Sequence, residues 1–301
     1  MIGNWKLEIG NFRLLNLHHV NCHSRGGGNS VVKRVIDFRL RGNDKTHMQR
    51  FRLLQTKFNT AAFNMALDEV LIKKISSGEV DPSLRFYGWK PAAVSIGYFQ
   101  SLQAEVDEEK CRERGVDIVR RQTGGGAVFH DKEVTYSMHI PLTLNLVPEK
   151  ILDSYQRICG GIIRGLTAFN LSAQFVPLND IIVGGKKISG NAQTRKQGVL
   201  LQHGTILQSV DVDKMFDLLK VPDEKMKGKL ITVIKERVTS IEQQAGKAIE
   251  FQSIVDALID GFKKDFAAVE FYDDGLSEEE TELARKLAEE KYAGGQWNYQ
   301  R

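Results

Sequence analysis

The chain has 301 residues, of which 42 are Lys or Arg and 38 are Asp or Glu, so its formal net charge is +4. Apolar residues make up 42% of the chain, which is enough for a sizeable core and argues against wholesale disorder. No run approaches the roughly 18 consecutive apolar residues that span a bilayer, and the three scattered cysteines form no CxxC metal pair, which favours a soluble protein of the reducing cytoplasm.

The first 47 residues differ from the rest in charge and pattern. They contain eight basic and three acidic residues, whereas the remaining 254 contain 34 and 35, so the excess positive charge lies in this segment. Residues 25–30 read Arg-Gly-Gly-Gly-Asn-Ser, and no steady helical or strand periodicity is present. We predict that residues 1–47 are a poorly ordered extension and that one organised domain occupies residues 48–301.

From Met48 onward, strand and helix patterns alternate. Alternating runs rich in β-formers predict strands over residues 51–55, 84–89, 93–99, 117–121, 133–141, 181–183, 187–189 and 199–207, the second and third of them adjacent. Apolar spacing predicts helices over residues 64–74, 106–114, 152–169, 215–219, 250–266 and 277–292. Since some strands are joined by short turns and others by helices, the fold class is α/β or α+β, with a mixed, largely antiparallel sheet flanked by helices.

The first segment that indicates chemistry is Arg120-Arg-Gln-Thr-Gly-Gly-Gly-Ala-Val-Phe-His-Asp131. Three consecutive glycines cost backbone entropy, and close approach of backbone N–H groups to an anion would require them. Arg120 and Arg121 could add charge-assisted hydrogen bonds to a phosphate or carboxylate. The run matches neither a Walker A loop nor GxGxxG, and an ordinary glycine-rich hairpin with exposed arginines stays open.

The second segment is Asn179-Asp-Ile-Ile-Val-Gly-Gly-Lys-Lys-Ile-Ser-Gly190. Gly184 and Gly185 predict a tight hairpin that places Lys186 and Lys187 at the start of its second strand. Because neighbouring strand residues point to opposite faces, one lysine faces inward, where it needs a negative partner such as a phosphate or an activated carboxylate. An exposed hairpin is the alternative. His203, farther along, is interpreted as a buried, satisfied histidine.

Together these segments resemble the lipoate–protein ligase family. The resemblance also includes Phe63-Asn-Met-Ala-Leu-Asp-Glu69, Arg85-Phe-Tyr87, Ser95-Ile-Gly-Tyr-Phe-Gln100 and Leu201-Gln-His-Gly-Thr-Ile-Leu207, and it spans residues 48–301. It implies the catalytic fold shared with biotin–protein ligases and related to class II synthetase cores. It also implies activation of lipoate by ATP, with Mg, to lipoyl-adenylate, followed by transfer to a lysine of a lipoyl carrier domain, as in 2-oxoacid dehydrogenases or the glycine cleavage H protein.

The resemblance also implies roles for individual residues. Lys187 would be catalytic and would contact the acyl carbonyl and the phosphate. Asn179 and Asp180 would lie near the incoming amine or a metal ion. The residues expected to hold the adenylate and its phosphate are Arg121, Gly126, Ala127, Val128 and Phe129, and those expected to wall the acyl slot are Gly97, Gly124, Gly125 and Gly126.

Octanoyltransferases of the same superfamily are the alternative. They move octanoyl from acyl carrier protein through a cysteine thioester and use no ATP. In the most similar group that cysteine lies in an insertion before the lysine hairpin, whereas here residues 175–178 lead directly into Asn179. Cys159 lies within a predicted helix, Cys111 on a charged one and Cys22 in the N-terminal extension, so no cysteine is placed for acyl transfer. We therefore favour the ATP-dependent ligase.

A final comparison with the family concerns partners. Two-domain bacterial ligases have a further C-terminal domain, whereas this chain resembles the catalytic half alone, so a separate small accessory protein is expected as a possible partner. Nucleic acid is not an expected partner, because aromatic residues are not interleaved with the basic ones. The acyl specificity (lipoate, octanoate or biotin) and the oligomeric state stay open.

Overall fold

A computed structural model describes residues 48–220 and 224–301. The predicted extension over residues 1–47 lies outside the described residues. Within them, eleven strands form two sheets. The strands are β1 Gln49–Asn59, β2 Ser83–Trp89, β3 Ala93–Ile96, β4 Asp117–Arg120, β5 Val128–His130, β6 Glu133–Pro141, β7 Ala173–Val176, β8 Asp180–Val183, β9 Lys186–Lys196, β10 Val199–Leu207 and β11 Val269–Asp274.

Helices cover both faces of the larger sheet. They are α1 Ala61–Ser77, α2 Leu102–Glu105, α3 Glu108–Glu113, α4 Ile151–Leu166, α5 Val212–Leu218, α6 Glu224–Arg237, α7 Ile241–Ala245, α8 Phe251–Asp265, α9 Glu278–Leu287 and α10 Gly295–Asn298, with a π-helical turn at Ala288–Tyr292 after α9. Within the described ranges, none of these helices has the length and apolar character needed to cross a membrane.

The larger sheet has the order β11-β1-β2-β6-β10-β9-β8-β7. β1 pairs in parallel with β11 and β2, and every other neighbouring pair is antiparallel. The smaller sheet has the order β4-β3-β5, with β3 parallel to β4 and antiparallel to β5. The predicted fold class, a mixed and largely antiparallel sheet flanked by helices, is confirmed.

Two features of the sheets differ from the sequence predictions. The strands predicted as adjacent, β2 and β3, belong to different sheets, because β1 and β6 occupy both edges of β2. The tail, predicted as helical, contributes β11, which joins the sheet beside β1 although the two strands lie more than 200 residues apart. Neither pairing can be read from local periodicity, since both depend on partners distant in the chain.

The main core lies between the larger sheet and the helix pair α4 and α8. Alternate residues of β6, among them Val134, Tyr136 and Met138, point into this core and are buried with Ile158 and Phe262 of the helices. The residues between them on β6 point to the opposite face, toward α1. This second face carries the polar groups Glu133, Thr135, Ser137 and His139, all buried.

Candidate active site

A cavity of about 570 Å³ opens on the polar face of the larger sheet. Its walls come from β6, β9 and β10, from the smaller sheet, from the glycine-rich turn after β4, and from α5 and α6. Its volume falls within the range of roughly 300–1,000 Å³ that is usual for small-molecule sites. Both segments that the sequence singled out therefore meet at one cavity, although almost 60 residues separate them in the chain.

Most of the predicted site residues line this cavity. Those in the wall are Arg121, Gly125, Gly126, Ala127, Val128, Phe129, Asn179 and Lys187. Gly97, Gly124 and Asp180 contact these residues from behind rather than lining the cavity themselves. The structure thus brings the predicted residues together, and the substrate groups assigned to each of them stay predictions.

Close packing explains two glycines at this place: Gly97, which follows β3, and Gly125, which lies in the turn. A Cβ at Gly97 would lie 1.9 Å from the carbonyl oxygen of Gly125, so only glycine allows β3 to lead into this turn. Gly125 itself has φ +100°, and a Cβ there would lie 2.8 Å from Nη2 of Arg121. Tyr98 N–H, which donates to the carbonyl of Thr123 at 2.8 Å, ties the turn to the end of β3.

The lysine hairpin is formed as predicted. Gly184 and Gly185 have φ +56° and +77° and connect β8 to β9 in a two-residue loop. Lys187 Nζ lies 2.7 Å from Oδ1 of Asp180, so the inward-facing lysine has a negative partner. This contact is an ion pair by distance and does not meet hydrogen-bond geometry. A Cβ at Gly190 would lie 2.9 Å from Lys187 Cε, so the glycine provides space for the lysine side chain.

Asn179 is held by a reciprocal contact with Asn191. The Asn179 amide donates to the carbonyl of Asn191, and the Asn191 amide donates to the carbonyl of Asn179 at 2.9 Å. Tyr136 Oη donates to Oδ1 of Asn191 at 2.8 Å, which connects this pair to the core. Because these bonds lock the strand entering the hairpin, the position of Asp180 and therefore of Lys187 is determined by packing on the far side of the sheet.

A metal ion at Asp180 is not supported by a ligand cluster. Among residues 48–220 and 224–301, no group of three or more His, Cys, Asp or Glu side chains could hold a metal ion. Since Asp180 instead faces the Lys187 ammonium, magnesium at this carboxylate stays a prediction.

Sequence reasoning missed a group of buried polar residues in the cavity wall. Trp89 stacks on His130 with ring centroids 4.0 Å apart, and the Nδ1 of His130 lies 2.7 Å from Glu133 Oε1. Ser95 Oγ lies 2.7 Å from the other ring nitrogen of His130. The sequence did contain a signal for this group. Polar and apolar residues alternate over residues 133–139, so one face of this strand is polar, and a helix covers that face.

His203 also lines the cavity, and it is satisfied as expected. Its Nε2 lies 2.7 Å from Thr123 Oγ1 and its Nδ1 3.4 Å from Asp68 Oδ2. Burial lowers the pKa of His203, and the Asp68 carboxylate opposes that shift. Burial alone would raise the pKa of Asp68, but the hydrogen bond from His203 and the charge of Arg85 outweigh it and hold that pKa well below its usual range.

The two described cysteines lie away from the cavity wall. Cys111 and Cys159 are both free and fully buried, one on α3 and the other on α4. Burial raises the pKa of Cys111 to about 11 and raises that of Cys159 further, against a hydrogen bond from Gln202. Both thiols are therefore weak nucleophiles, because the thiolate is the reactive form.

The family model and the known proteins that resemble this chain point to one family. The family model described as the lipoyl protein ligase A/B catalytic domain matches residues 60–263. The octanoyltransferase LipM of Brevibacillus brevis is 36% identical over 277 residues, which cover 84% of this chain and all of that protein. The LipM octanoyltransferase of Kyrpidia tusciae is 38% identical over 276 residues, again 84% of this chain and all of that protein.

A solved structure shows the same architecture. It belongs to the lipoylation system of Thermoplasma acidophilum, a bi-partite lipoate protein ligase described with its E2 lipoyl domain. It superimposes with a TM-score of 0.75 and 31% sequence identity, and the match covers 83% of this chain and 96% of that chain.

These relatives correct the reaction that the sequence favoured. The ATP-dependent lipoate ligase was the main prediction, and it is wrong, since the curated relatives that match over nearly their full length are octanoyltransferases. The motifs do not distinguish a lipoate ligase from an octanoyltransferase. A glycine-rich turn and an inward lysine can stabilise any acyl group whose carbonyl develops negative charge. ATP binding has no support from these relatives either.

Proposed function

Because this chain belongs to the lipoyl protein ligase A/B catalytic-domain family, we propose that it is an octanoyltransferase that moves octanoyl from acyl carrier protein to a lysine of a lipoyl carrier domain. The observation that carries the proposal is the match with LipM octanoyltransferases over essentially their whole length. The lipoyl domain named with the Thermoplasma ligase supports this class of acceptor.

The cavity has the composition that an acyl thioester needs. Apolar side chains from β5, α5 and α6 face it, including Val128, Phe129, Met215 and Ile234. Burial of an octanoyl chain against them gains roughly 0.8 kcal/mol for each methylene removed from water. Lys187 brings an ammonium group to the cavity wall beside Asn179, so we assign the thioester carbonyl to that part of the cavity.

Lys187 has the chemistry that acyl transfer requires. When the neutral ε-amino group of the acceptor lysine attacks the thioester carbon, negative charge develops on the carbonyl oxygen. The carbon–sulfur bond then breaks as the amide forms, and the proton lost by the amine ends on the sulfur, so the thiol is released. The Lys187 ammonium, preorganised by Asp180, would donate a hydrogen bond to that oxygen. We do not assign the acyl group to Cys111 or Cys159, because burial raises the pKa of both thiols.

The test is a transfer assay without ATP. The full chain is incubated with octanoylated acyl carrier protein and an unmodified lipoyl domain, and mass spectrometry follows the gain of one octanoyl group on the lipoyl domain. Lys187→Ala should lower the rate by about a hundredfold or more, the usual effect of removing an oxyanion donor. Lys186→Ala is the matched control from the same hairpin, and it should retain the rate, as should the double variant Cys111→Ser/Cys159→Ser.

Two results would overturn the proposal. One is the absence of transfer from the acyl carrier protein under these conditions. The other is pyrophosphate exchange that depends on both ATP and lipoate, because only an adenylate-forming ligase supports that exchange.

A further inference from the structure

Arg121 points into the protein. Its Nη1 donates to the carbonyl and to Oγ of Ser95, both at 3.1 Å. Its Nη2 donates to the carbonyl of Gly124 at 2.9 Å and to the carbonyl of Gly126 at 2.7 Å. The residue is only 6% exposed, and these contacts hold both ends of the glycine-rich turn. Because these contacts occupy both terminal nitrogens of the guanidinium, few of its N–H groups are left to bind a substrate anion.

A chain of hydrogen bonds leads from Arg121 to a buried carboxylate. Ser95 Oγ lies 2.7 Å from His130 Nε2, and His130 Nδ1 lies 2.7 Å from Glu133 Oε1. With an ionised Glu133 and a neutral His130 ring, the proton lies on Nδ1, and Nε2 accepts from the Ser95 hydroxyl. Ser95 Oγ can then accept from Arg121, so each group in the chain donates toward the carboxylate.

Neighbouring side chains immobilise the carboxylate end of this chain. Thr135 Oγ1 donates to Glu133 Oε1 at 2.7 Å and itself accepts from the Trp89 indole at the same distance. Trp89 also stacks on the His130 ring, with an interplanar angle of 18°. The guanidinium and the carboxylate are thus buried groups of opposite charge connected through Ser95 and His130, while the second carboxylate oxygen, Glu133 Oε2, has no hydrogen-bond partner among the described residues.

We infer that Glu133, His130 and Ser95 are positioning residues, which hold Arg121 as a clamp on the glycine-rich turn Gly124–Gly126 instead of leaving it to bind a substrate phosphate. The turn lines the cavity, so the clamp sets the shape of the acyl-binding wall. This role differs from the phosphate contact that the sequence predicted for Arg121.

Two donors that differ by one phosphate test this inference, which rests on the proposed octanoyl transfer for its kinetic part. They are octanoyl-pantetheine and octanoyl-phosphopantetheine, measured with the wild type, Ser95→Ala, Ser95→Thr and Arg121→Lys. We expect Ser95→Ala and Arg121→Lys to raise KM about tenfold for both donors, with kcat changed less than about threefold, since a lost buried hydrogen bond costs roughly that factor. Ser95→Thr keeps the hydroxyl and should recover most of the affinity.

Ser83→Ala is the matched control. Ser83 is also a fully buried serine that contacts a buried histidine, with its Oγ 3.0 Å from Nδ1 of His139, but it lies outside the clamp. Its loss should lower thermal stability as Ser95→Ala does and leave both KM values unchanged. A drop in the preference for the phosphorylated donor in Arg121→Lys alone would mean that Arg121 binds phosphate, which would overturn the inference.

Hydrogen exchange tests the clamp without any substrate. Peptides covering residues 96–100 and 121–128 should exchange faster in Ser95→Ala than in the wild type, because the bond between Tyr98 N–H and the Thr123 carbonyl loosens with the turn. Unchanged exchange would contradict the clamp, whatever the kinetics. Faster exchange together with no octanoyl transfer by the wild type would support the clamp and contradict the proposed function.

Discussion

At the scale of single residues, His139 illustrates the free-energy cost of burying an ionisable group on the polar face of the sheet. The ring is fully buried on β6, beneath α1, and its Nε2 has no hydrogen-bond partner among the described residues. The charged groups that face it are Asp68 and Arg85, with His203 beyond them. Burial lowers the pKa of His139 from 6.5 to about 4, and the nearby Asp68 carboxylate only partly opposes this shift.

This shift predicts a loss of stability in mild acid. The unfolded chain binds a proton at His139 near pH 6.5 and the folded chain only near pH 4, so the free energy of unfolding falls as the pH drops between these values. We expect His139 to account for roughly 3 kcal/mol of that fall. Urea unfolding across this range measures it, and His139→Gln should unfold with a shallower dependence on pH. Equal slopes in the two proteins would contradict the assignment.

At the scale of elements, glycines determine how closely α4 and α8 approach. A Cβ at Gly261 of α8 would lie 2.3 Å from the carbonyl oxygen of Gly161 and 2.4 Å from the backbone nitrogen of Gly165, both on α4. Backbone atoms cannot move aside as flexible side chains do. The two helices together cover the core face of the sheet, so moving them apart would loosen the packing of that core.

Gly261→Ala should therefore destabilise the protein. Overpacking of this kind costs about 1–3 kcal/mol, and the higher helix propensity of alanine returns less than about 1 kcal/mol of it. Gly228→Ala is the matched control, because Gly228 lies on α6 with no atom within 4 Å of its added Cβ. That control should leave stability unchanged or slightly raised in thermal unfolding. Similar melting temperatures for both variants would show that the helices can separate at no cost.

At the scale of the whole molecule, the excess positive charge lies in residues 1–47, whereas residues 48–301 are close to neutral. Residues 48–301 hold 34 basic and 35 acidic residues, and the core and the cavity wall of the described part of the chain are built from them. Charge that matters for the proposed reaction is therefore local, at Lys187 and Asp180, and is not a property of the overall balance.

A shortened chain tests this separation. Residues 48–301 alone should unfold at the melting temperature of the full chain and transfer octanoyl at the same rate, because they supply the core and the cavity wall described above. Calorimetry and the transfer assay measure the two properties. A large loss in either one would show that the N-terminal segment belongs to the folded domain.

Local patterns determined much of the secondary structure. The strands β6 and β10 begin and end where alternation predicted, at Glu133–Pro141 and Val199–Leu207, and the two glycines after β8 produced the expected hairpin. The prediction succeeds here because both strands are rich in β-forming residues, although the structure buries both faces of each. The short strands β5 Val128–His130 and β7 Ala173–Val176 were not predicted from the sequence.

By itself, the sequence determined which segments form the site, because consecutive glycines and an inward lysine are recognisable wherever they stand in a chain. Only the tertiary structure decided that Arg121 faces Ser95 and the turn, that β11 pairs with β1, and that the buried Glu133 carboxylate lies in the cavity wall. The physical reason is that hydrogen-bond partners are chosen by proximity in space. Local propensity favours an element, but it carries no information about which distant group will satisfy a buried charge.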